Sequence, residues 1–369
     1  MPPKNSPRVI AVVTGSRAEF GLLEPVMRAI ADHPRLRLRT IVTGTHLTAG
    51  TWRDIPAAGL TIDARVPMQK RGQVGRQADA LAVGRGVAGF SRAFARLKGD
   101  VVLVLGDRVE VLAAAVAASV GGYRLGHLHG GDRAEGVADE AIRHAVSKLA
   151  HLHFPATTQS RQRLIRMGED PQRIFCVGSP AVDGLRKVQP AADAPAILLM
   201  QHPIGAPDDQ EARWARQTWQ AVADLGLPAA VFAPNADPGS EGIRSAWRAL
   251  EKAGKFRVVE HLPRQRFLAM LAGARVIVGN SSAGLIEAAA LRVACVNIGP
   301  RQAGRQRPGN VVDCPYGRAP VRKALQKALR LNLQRLRHPY GQGQTGEKIA
   351  KILSNIDLEN ISARKCNTY

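Results

Sequence analysis

Residues 8–22 read RVIAVVTGSRAEFGL. The run Val9–Val13 is apolar on both faces and rich in β-branched side chains, the pattern of a strand covered from both sides. Small residues then break the run, and a helical pattern follows from about Gly21 to Ala31. Strand, small-residue turn and helix form the opening unit of a doubly wound parallel sheet. Ligands of such sheets sit beyond the carboxyl ends of the strands. The decisive positions are therefore Thr14-Gly15-Ser16-Arg17 and their counterparts after each later strand. Gly15 and Ser16 let the backbone approach a ligand, the helix start favours an anion, and Arg17 offers phosphate a planar fork. The segment has neither the Gly-x-Gly-x-x-Gly spacing nor a Walker lysine, so NAD and ATP sites lose support.

The same alternation repeats along the chain. Strands are expected at 38–43, 101–106 (VVLVLG), 123–129 (YRLGHLH), 152–154 and 173–177, with helices at 76–98, from about Val109, and at 138–150. Residues 183–195 (DGLRKVQPAADAP) are polar and rich in Ala and Pro, as a linker is. A second series starts at AILLMQ (196–201) and continues with strands near 229–233, 256–260, 274–278 and 293–297. The expected fold class is α/β: two Rossmann-like doubly wound domains, residues 1–182 and 196–340, facing a cleft.

Composition narrows the class of function. Lys and Arg number 52 against 30 acids in 369 residues, a net charge of +22. The basic residues are spread along the chain, and aromatics do not interleave with them as a base-stacking platform requires. Nucleic acid is therefore not the expected partner, whereas a basic surface also attracts small anionic substrates. Cys176, Cys295, Cys314 and Cys366 lie far apart with no Cys-x-x-Cys pair, against a zinc site or a disulfide framework. The N-terminal apolar run is too short for a signal peptide, and no run approaches the ~20 residues of a membrane span. A cytoplasmic protein without membrane partners is expected.

The remaining strand ends carry chemistry. Asp107-Arg108 follows VVLVLG: the carboxylate is a candidate acid or base, or else the N-cap of the next helix. His127-Leu128-His129-Gly130-Gly131-Asp132 follows YRLG. Strand alternation puts both histidines on one face, yet no third metal ligand is spaced with them. Asp139 and Arg143, four apart on the next helix, share a face as a surface ion pair or as a polar helix start in a cleft. In the second half, His202 and Asn235 end strands. GNSSAGLIE (279–287) places Ser281, Ser282 and Gly284 at a helix start suited to a diphosphate, with Glu287 further along that helix to accept ribose hydroxyls. Arg301 lies in a donor-rich loop, RQAGR.

Taken together, TGSRAEFGLL, LGDRVE, HLHGGDRAEG with DEAIRHAVSKLAHLHF, His202-Pro203, GNSSAGLIE, NIGPRQAGR and HPYGQGQ occur in the order seen in the UDP-N-acetylglucosamine 2-epimerase family. The chain resembles the hydrolysing branch of that family over nearly its whole length. The resemblance implies a glycosyltransferase-B type fold, with a terminal segment, 341–369, whose helix packs back on the first domain. It implies UDP held mainly by the second domain through His202, Asn235, Ser281, Ser282, Glu287 and Arg301, with Arg17 and Arg108 contributed by the first. It implies a homo-oligomer, dimer or tetramer, no metal or nicotinamide cofactor, and a place in sialic acid biosynthesis.

The implied reaction has a physical logic. Diphosphate leaves carbon 1 as a base removes the carbon-2 proton, giving a glycal. Water then adds at carbon 1 while a different group protonates carbon 2 from the opposite face, so two titratable groups are needed. Asp107 and Asp139 match two acid/base carboxylates of the family. Some members carry His-x-Glu-Gly-Gly where this chain has His127-Leu128-His129-Gly130-Gly131, and the segment to Asp139 is one residue longer. His129 or Asp132 then takes the third role, beside Arg143. Two other classes remain: a glycosyltransferase of the same architecture, and a non-catalytic basic binding protein.

Overall fold

The computed structural model describes residues 6–73, 75–133, 140–235, 237–256, 258–260, 262–366 and 368. The chain forms two compact units. One holds the chain up to Asp132, the stretch from Glu140 to Asp183 and the chain from Gly341 onward; the other holds Gly184–Tyr340.

Unit 1 is built on strands β1 (Arg8–Thr14), β2 (Leu36–Thr43), β3 (Ala64–Val66), β4 (Val101–Leu105), β5 (Arg124–Leu128) and β6 (Leu152–Phe154). All pairs are parallel, in the order β3-β2-β1-β4-β5-β6. Helices α1 (Arg17–Ala31), α2 (Gly44–Ala49), α3 (Asp54–Ala57), α4 (Arg76–Leu97), α5 (Val109–Val120), α6 (Glu140–Leu149) and α7 (Thr158–Arg166) connect them. The apolar run that opened the sequence does what its pattern implies. Ile10 and Val12 enter one core with the α1 residues Leu23, Met27 and Ile30, while Ala11 and Val13 enter the other with Phe90, Phe94 and Val111. Each of these side chains other than Ala11 contributes about 1.5–3 kcal/mol on full burial.

Unit 2 repeats the plan with β7 (Ile197–Met200), β8 (Ala229–Phe232), β9 (Val258–Val259), β10 (Val276–Gly279), β11 (Ala294–Ile298) and β12 (Val311–Cys314), ordered β12-β11-β10-β7-β8-β9. Its helices are α8 (Asp208–Ala223), α9 (Ser240–Lys252), α10 (Arg264–Gly273), α11 (Glu287–Ala290) and α12 (Arg318–Ala328). Numbered within each unit, both sheets run 3-2-1-4-5-6, which places a topological switch point between the first and fourth strands. The last helix, α13 (Thr345–Asn355), belongs to unit 1, where it packs on α1. Asp183 accepts the Thr345 and Gly346 N–H groups at 2.9 and 2.8 Å and so closes the N-terminus of α13.

The structure departs from the sequence expectations in particular places. Helix α1 begins at Arg17 rather than near Gly21, because Ser16 caps it. The 173–177 run forms no strand, and only Ile174 bridges to His153. Strands β3 and β12 had no sequence signal strong enough to predict them, being edge strands of three and four residues. Among the described residues, no helix is long and apolar enough to cross a membrane.

Candidate functional site

In unit 1 the switch point lies between β1 and β4. Ser16 Oγ accepts the Glu19 N–H at 3.3 Å, so Arg17 is the first residue of α1. Arg17 is half-exposed and donates its Nε–H to Asp54 at 2.8 Å. At the end of β4, Gly106 turns the chain with φ 85°, leading into Asp107 and Arg108. Asp107 is not the N-cap of α5. Arg108 occupies that position, with no side-chain cap bond. The Asp107 carboxylate instead receives the guanidinium of Arg143 from α6. Arg143 is almost fully buried and also donates to the His129 carbonyl at 3.2 Å, tying the ends of β4 and β5 together. The pairing of Arg143 with Asp139 expected from helix spacing falls outside the described residues, as do 134–138. The partner of Arg143 that is described is Asp107.

The two histidines expected on one strand face take different roles. Strand β5 ends at Leu128, and His129 turns into the left-handed region at φ 63°, which costs a non-glycine residue roughly 1–2 kcal/mol. His127 is fully buried; Nε2–H donates to the Gly106 carbonyl at 2.8 Å, and Nδ1 meets Ser147 Oγ at 3.1 Å. Burial pushes its pKa down to about 3, so it is a neutral spacer between the β4 turn and α6. His129 Nδ1 meets Asp132 Oδ2 at 3.0 Å, and its Nε2 meets Ser179 Oγ at 3.1 Å. The Ser160 hydroxyl donates to the other Asp132 oxygen at 2.6 Å. A carboxylate at Nδ1 fixes the Nδ1–H tautomer and leaves Nε2 to accept from Ser179. Gly131 makes this turn possible: φ is 75°, and a Cβ there would lie 2.3 Å from the Ser160 carbonyl oxygen. Ser160 and Ser179 were invisible as site residues, being lone serines far from the motif. Among the described residues, no group of three His, Cys, Asp or Glu side chains is placed to hold a metal ion.

In unit 2 the switch point lies between β7 and β10, and Asn280 clasps it. Its Oδ1 accepts the His202 N–H at 2.7 Å and its Nδ2 donates to the His202 carbonyl at 2.8 Å. His202 Nδ1 accepts the Asn235 N–H at 3.1 Å, and burial followed by the charge of Arg301 holds the ring neutral, with a pKa of about 3. That leaves Nε2–H as a donor. The Asn235 amide donates to Asp237. Arg301 donates to the Asn280 carbonyl at 3.3 Å and approaches Asp237 at 3.7 Å. Ser281 Oγ caps a single 3₁₀ turn, Ser282–Gly284, by accepting the Ala283 N–H at 3.3 Å. Gly284 lets the turn lie on β11: a Cβ would sit 2.4 Å from Cys295 Sγ. One expectation needs correcting here. Glu287 does not continue the helix begun at the serines. It opens the separate α11, is buried, and receives Arg264 at 3.3 Å.

A sequence profile of the family described as UDP-N-acetylglucosamine 2-epimerase matches residues 28–354. The chain belongs to that family. A family relative from Legionella pneumophila, UDP-N,N'-diacetylbacillosamine 2-epimerase (hydrolyzing), is 36% identical over 98% of this chain and 100% of its own. UDP-N-acetylglucosamine 2-epimerase of Neisseria meningitidis serogroup B is 30% identical over 96% of this chain and 97% of its own. The Methanocaldococcus jannaschii UDP-GlcNAc 2-epimerase crystallised with UDP-GlcNAc and UDP superposes with a TM-score of 0.79 at 20% identity, over 94% of this chain and 99% of that one. This 2-epimerase-family chain thus has the two-domain α/β fold of the glycosyltransferase-B type, each domain a six-stranded parallel sheet.

Proposed function

We propose that this family member is a hydrolysing 2-epimerase. It takes a UDP-linked 2-acetamido sugar and releases UDP and the free sugar inverted at carbon 2. UDP-N-acetylglucosamine, yielding N-acetylmannosamine, is the parent substrate. The diacetylated sugar in the Legionella relative's name is the second candidate, favoured by that relative's 36% identity over the full chain.

The observation that carries the proposal is the acid/base cluster at the ends of β4 and β5, where Asp107 is held by Arg143 and His129 is coupled to Asp132. Simple sugar transfer needs no such cluster, whereas inversion at carbon 2 needs one group to remove a proton and another to return one. In this reading Asp107 is one acid/base group, and the His129–Asp132 couple acts as the second, with Asp132 fixing the imidazole tautomer. Asp139 is retained as a further carboxylate on the family pattern alone. In unit 2, His202, Asn235, Ser281, Ser282, Glu287 and Arg301 make up the UDP set. Arg17 and Arg108 of unit 1 are retained as substrate-binding residues on the family pattern, positive charge of the kind that stabilises a departing diphosphate. No cofactor takes part. The working form is a homo-oligomer, and the product feeds the synthesis of sialic acid or a related acidic sugar.

One experiment decides among the classes. The protein is incubated in deuterated water, without an acceptor, with each of the two UDP-sugars and followed by NMR. Free UDP together with a carbon-2-inverted sugar carrying deuterium at carbon 2 is the expected result. Release of UDP without inversion sinks the epimerase reading. Transfer only after an acceptor is added points to a glycosyltransferase, and binding without turnover to a non-catalytic protein.

A further inference from the structure

Two buried carboxyl groups near the unit 1 switch point have no part in the chemistry described above. Glu19 lies three residues after the Ser16 cap, where a helix-capping glutamate is common. Its Oε2 accepts the Gly15 N–H at 2.8 Å, which accounts for that one oxygen. Its Oε1 is buried and has no hydrogen-bond partner. Glu110, in the first turn of α5, is fully buried. Its Oε1 accepts the Arg108 Nε–H at 2.9 Å, and its Oε2 is buried and likewise without a partner. Both side chains meet Gly15, Glu19 through that hydrogen bond and Glu110 by packing, since a Cβ on Gly15 would lie 2.3 Å from Glu110 Cγ and 2.6 Å from its Oε1.

Two dry carboxylates against the same glycine cannot both ionise cheaply. A single proton on the pair removes the repulsion between the two carboxylates. We propose that the Glu19–Glu110 pair holds one proton, on Glu19, so that the pair carries a single negative charge matched by Arg108, and that this pair is a positioning element for Arg108 and the Gly15 amide at the anion side of the site. The link to the reaction rests on the 2-epimerase reading; the proton on Glu19 does not. Burial, and after it the Glu110 charge, push the Glu19 carboxyl up to about 8, in keeping with Glu19 as the proton carrier. The other charged groups acting on Glu19 are Arg108 and Asp107 from the β4 turn. His46 of α2, which feels Asp54, Arg17 and Glu110, is held neutral by burial at about 4 and so has no charge to lose in the alkaline range.

The test has two readouts on the full chain. The first is infrared difference spectroscopy, which reads the carbonyl stretch of a protonated carboxylic acid. The band is expected at neutral pH, is expected to disappear as pH rises through about 8, and is expected to be missing in Glu19→Gln. In Glu110→Gln, with the neighbouring charge removed, it should vanish at lower pH. Absence of the band at neutral pH in the wild type, or its persistence in Glu19→Gln, overturns the proton on Glu19. The second readout is the pH profile of KM for the UDP-sugar. Loss of the proton sets a second negative charge beside Arg108, so KM should climb about tenfold per pH unit above the midpoint, with kcat changing far less. Glu19→Gln, which is neutral at every pH, should abolish that climb. An unchanged climb in Glu19→Gln overturns the positioning role even where the band is present. A band that behaves as expected in a chain without turnover leaves the proton pair standing and removes its link to the substrate.

Discussion

Replacing Asp107 by Asn separates the chemical role of this carboxylate from its structural one. The side chain is 18% exposed and its partner Arg143 is 3% exposed, so the pair is largely shielded from water. Asn keeps the shape and one acceptor oxygen, and it loses the charge. A hydrogen bond to a charged group contributes roughly 1.5–3 kcal/mol and a neutral one about 1, so the change costs about 1–2 kcal/mol of folding stability. For a domain of this size that is a fall of about 3–6 °C in Tm. The catalytic loss should be larger. An acid/base group contributes about 10²–10⁴ in rate, or about 3–5 kcal/mol of transition-state stabilisation. Expected, then, is Asp107→Asn protein that stays folded at 25 °C, binds UDP within about twofold of wild type, and turns over at least a hundredfold more slowly. Differential scanning fluorimetry, UDP titration calorimetry and the deuterium NMR assay measure the three quantities. Folded variant protein with more than a tenth of wild-type turnover would refute Asp107 as an acid/base group. A UDP affinity that falls in step with turnover would refute the separation of roles between the two units.

Two further outcomes test the packing. Glu169 is buried, and burial alone would raise its pKa, but His153 at 2.9 Å, Lys365 at 2.5 Å and Lys148 at 2.9 Å more than offset that and hold it at about 2. A depressed carboxyl adds stability above its ordinary pKa, and that stability drains away as pH falls from about 4.5 through about 2. Glu169→Gln should therefore lower Tm at neutral pH and flatten its decline across that acid window; an identical Tm–pH curve refutes the cluster's contribution. It should also loosen the chain end, because Lys365 additionally bonds the Ser147 and Lys148 carbonyls, and limited proteolysis near residue 365 reads this. Gly284→Ala should cost about 1–3 kcal/mol by driving a methyl group into Cys295 Sγ, and adding Cys295→Ala should recover part of that loss. Equal stability of the single variant and the wild type in urea would show that Gly284 is not required for packing.

Much of the fold was legible because it depends on local pattern. Short apolar runs, each followed by small or polar residues and then a helical period, mark a strand, its carboxyl end and a crossover. The two parallel sheets follow from that periodicity, and the rule that ligands meet strand ends is what singled out the candidate positions. The edge strands β3 and β12 and the non-strand at 173–177 were not legible, because edge pairing depends on what lies alongside. The serine-to-Glu287 segment was read as one helix. It is a capped 3₁₀ turn followed by a separate helix, with Gly284 drawn onto Cys295 between them.

The sequence by itself determined the architecture, the family and the presence of Asp107, His129, Asp132 and Arg143 near strand ends. Only the tertiary structure decided which of them touch. Arg143 finds Asp107 across 36 residues. His129 leaves the strand through a positive φ and so parts from His127, and it joins Ser179 across 50 residues. Two glutamates 91 positions apart, Glu19 and Glu110, come to rest against the same glycine. Periodicity reports what a residue's neighbours along the chain are doing. Hydrogen-bond partners depend on which loops the folded sheets bring within about 3 Å of one another, and that distance exists only after folding.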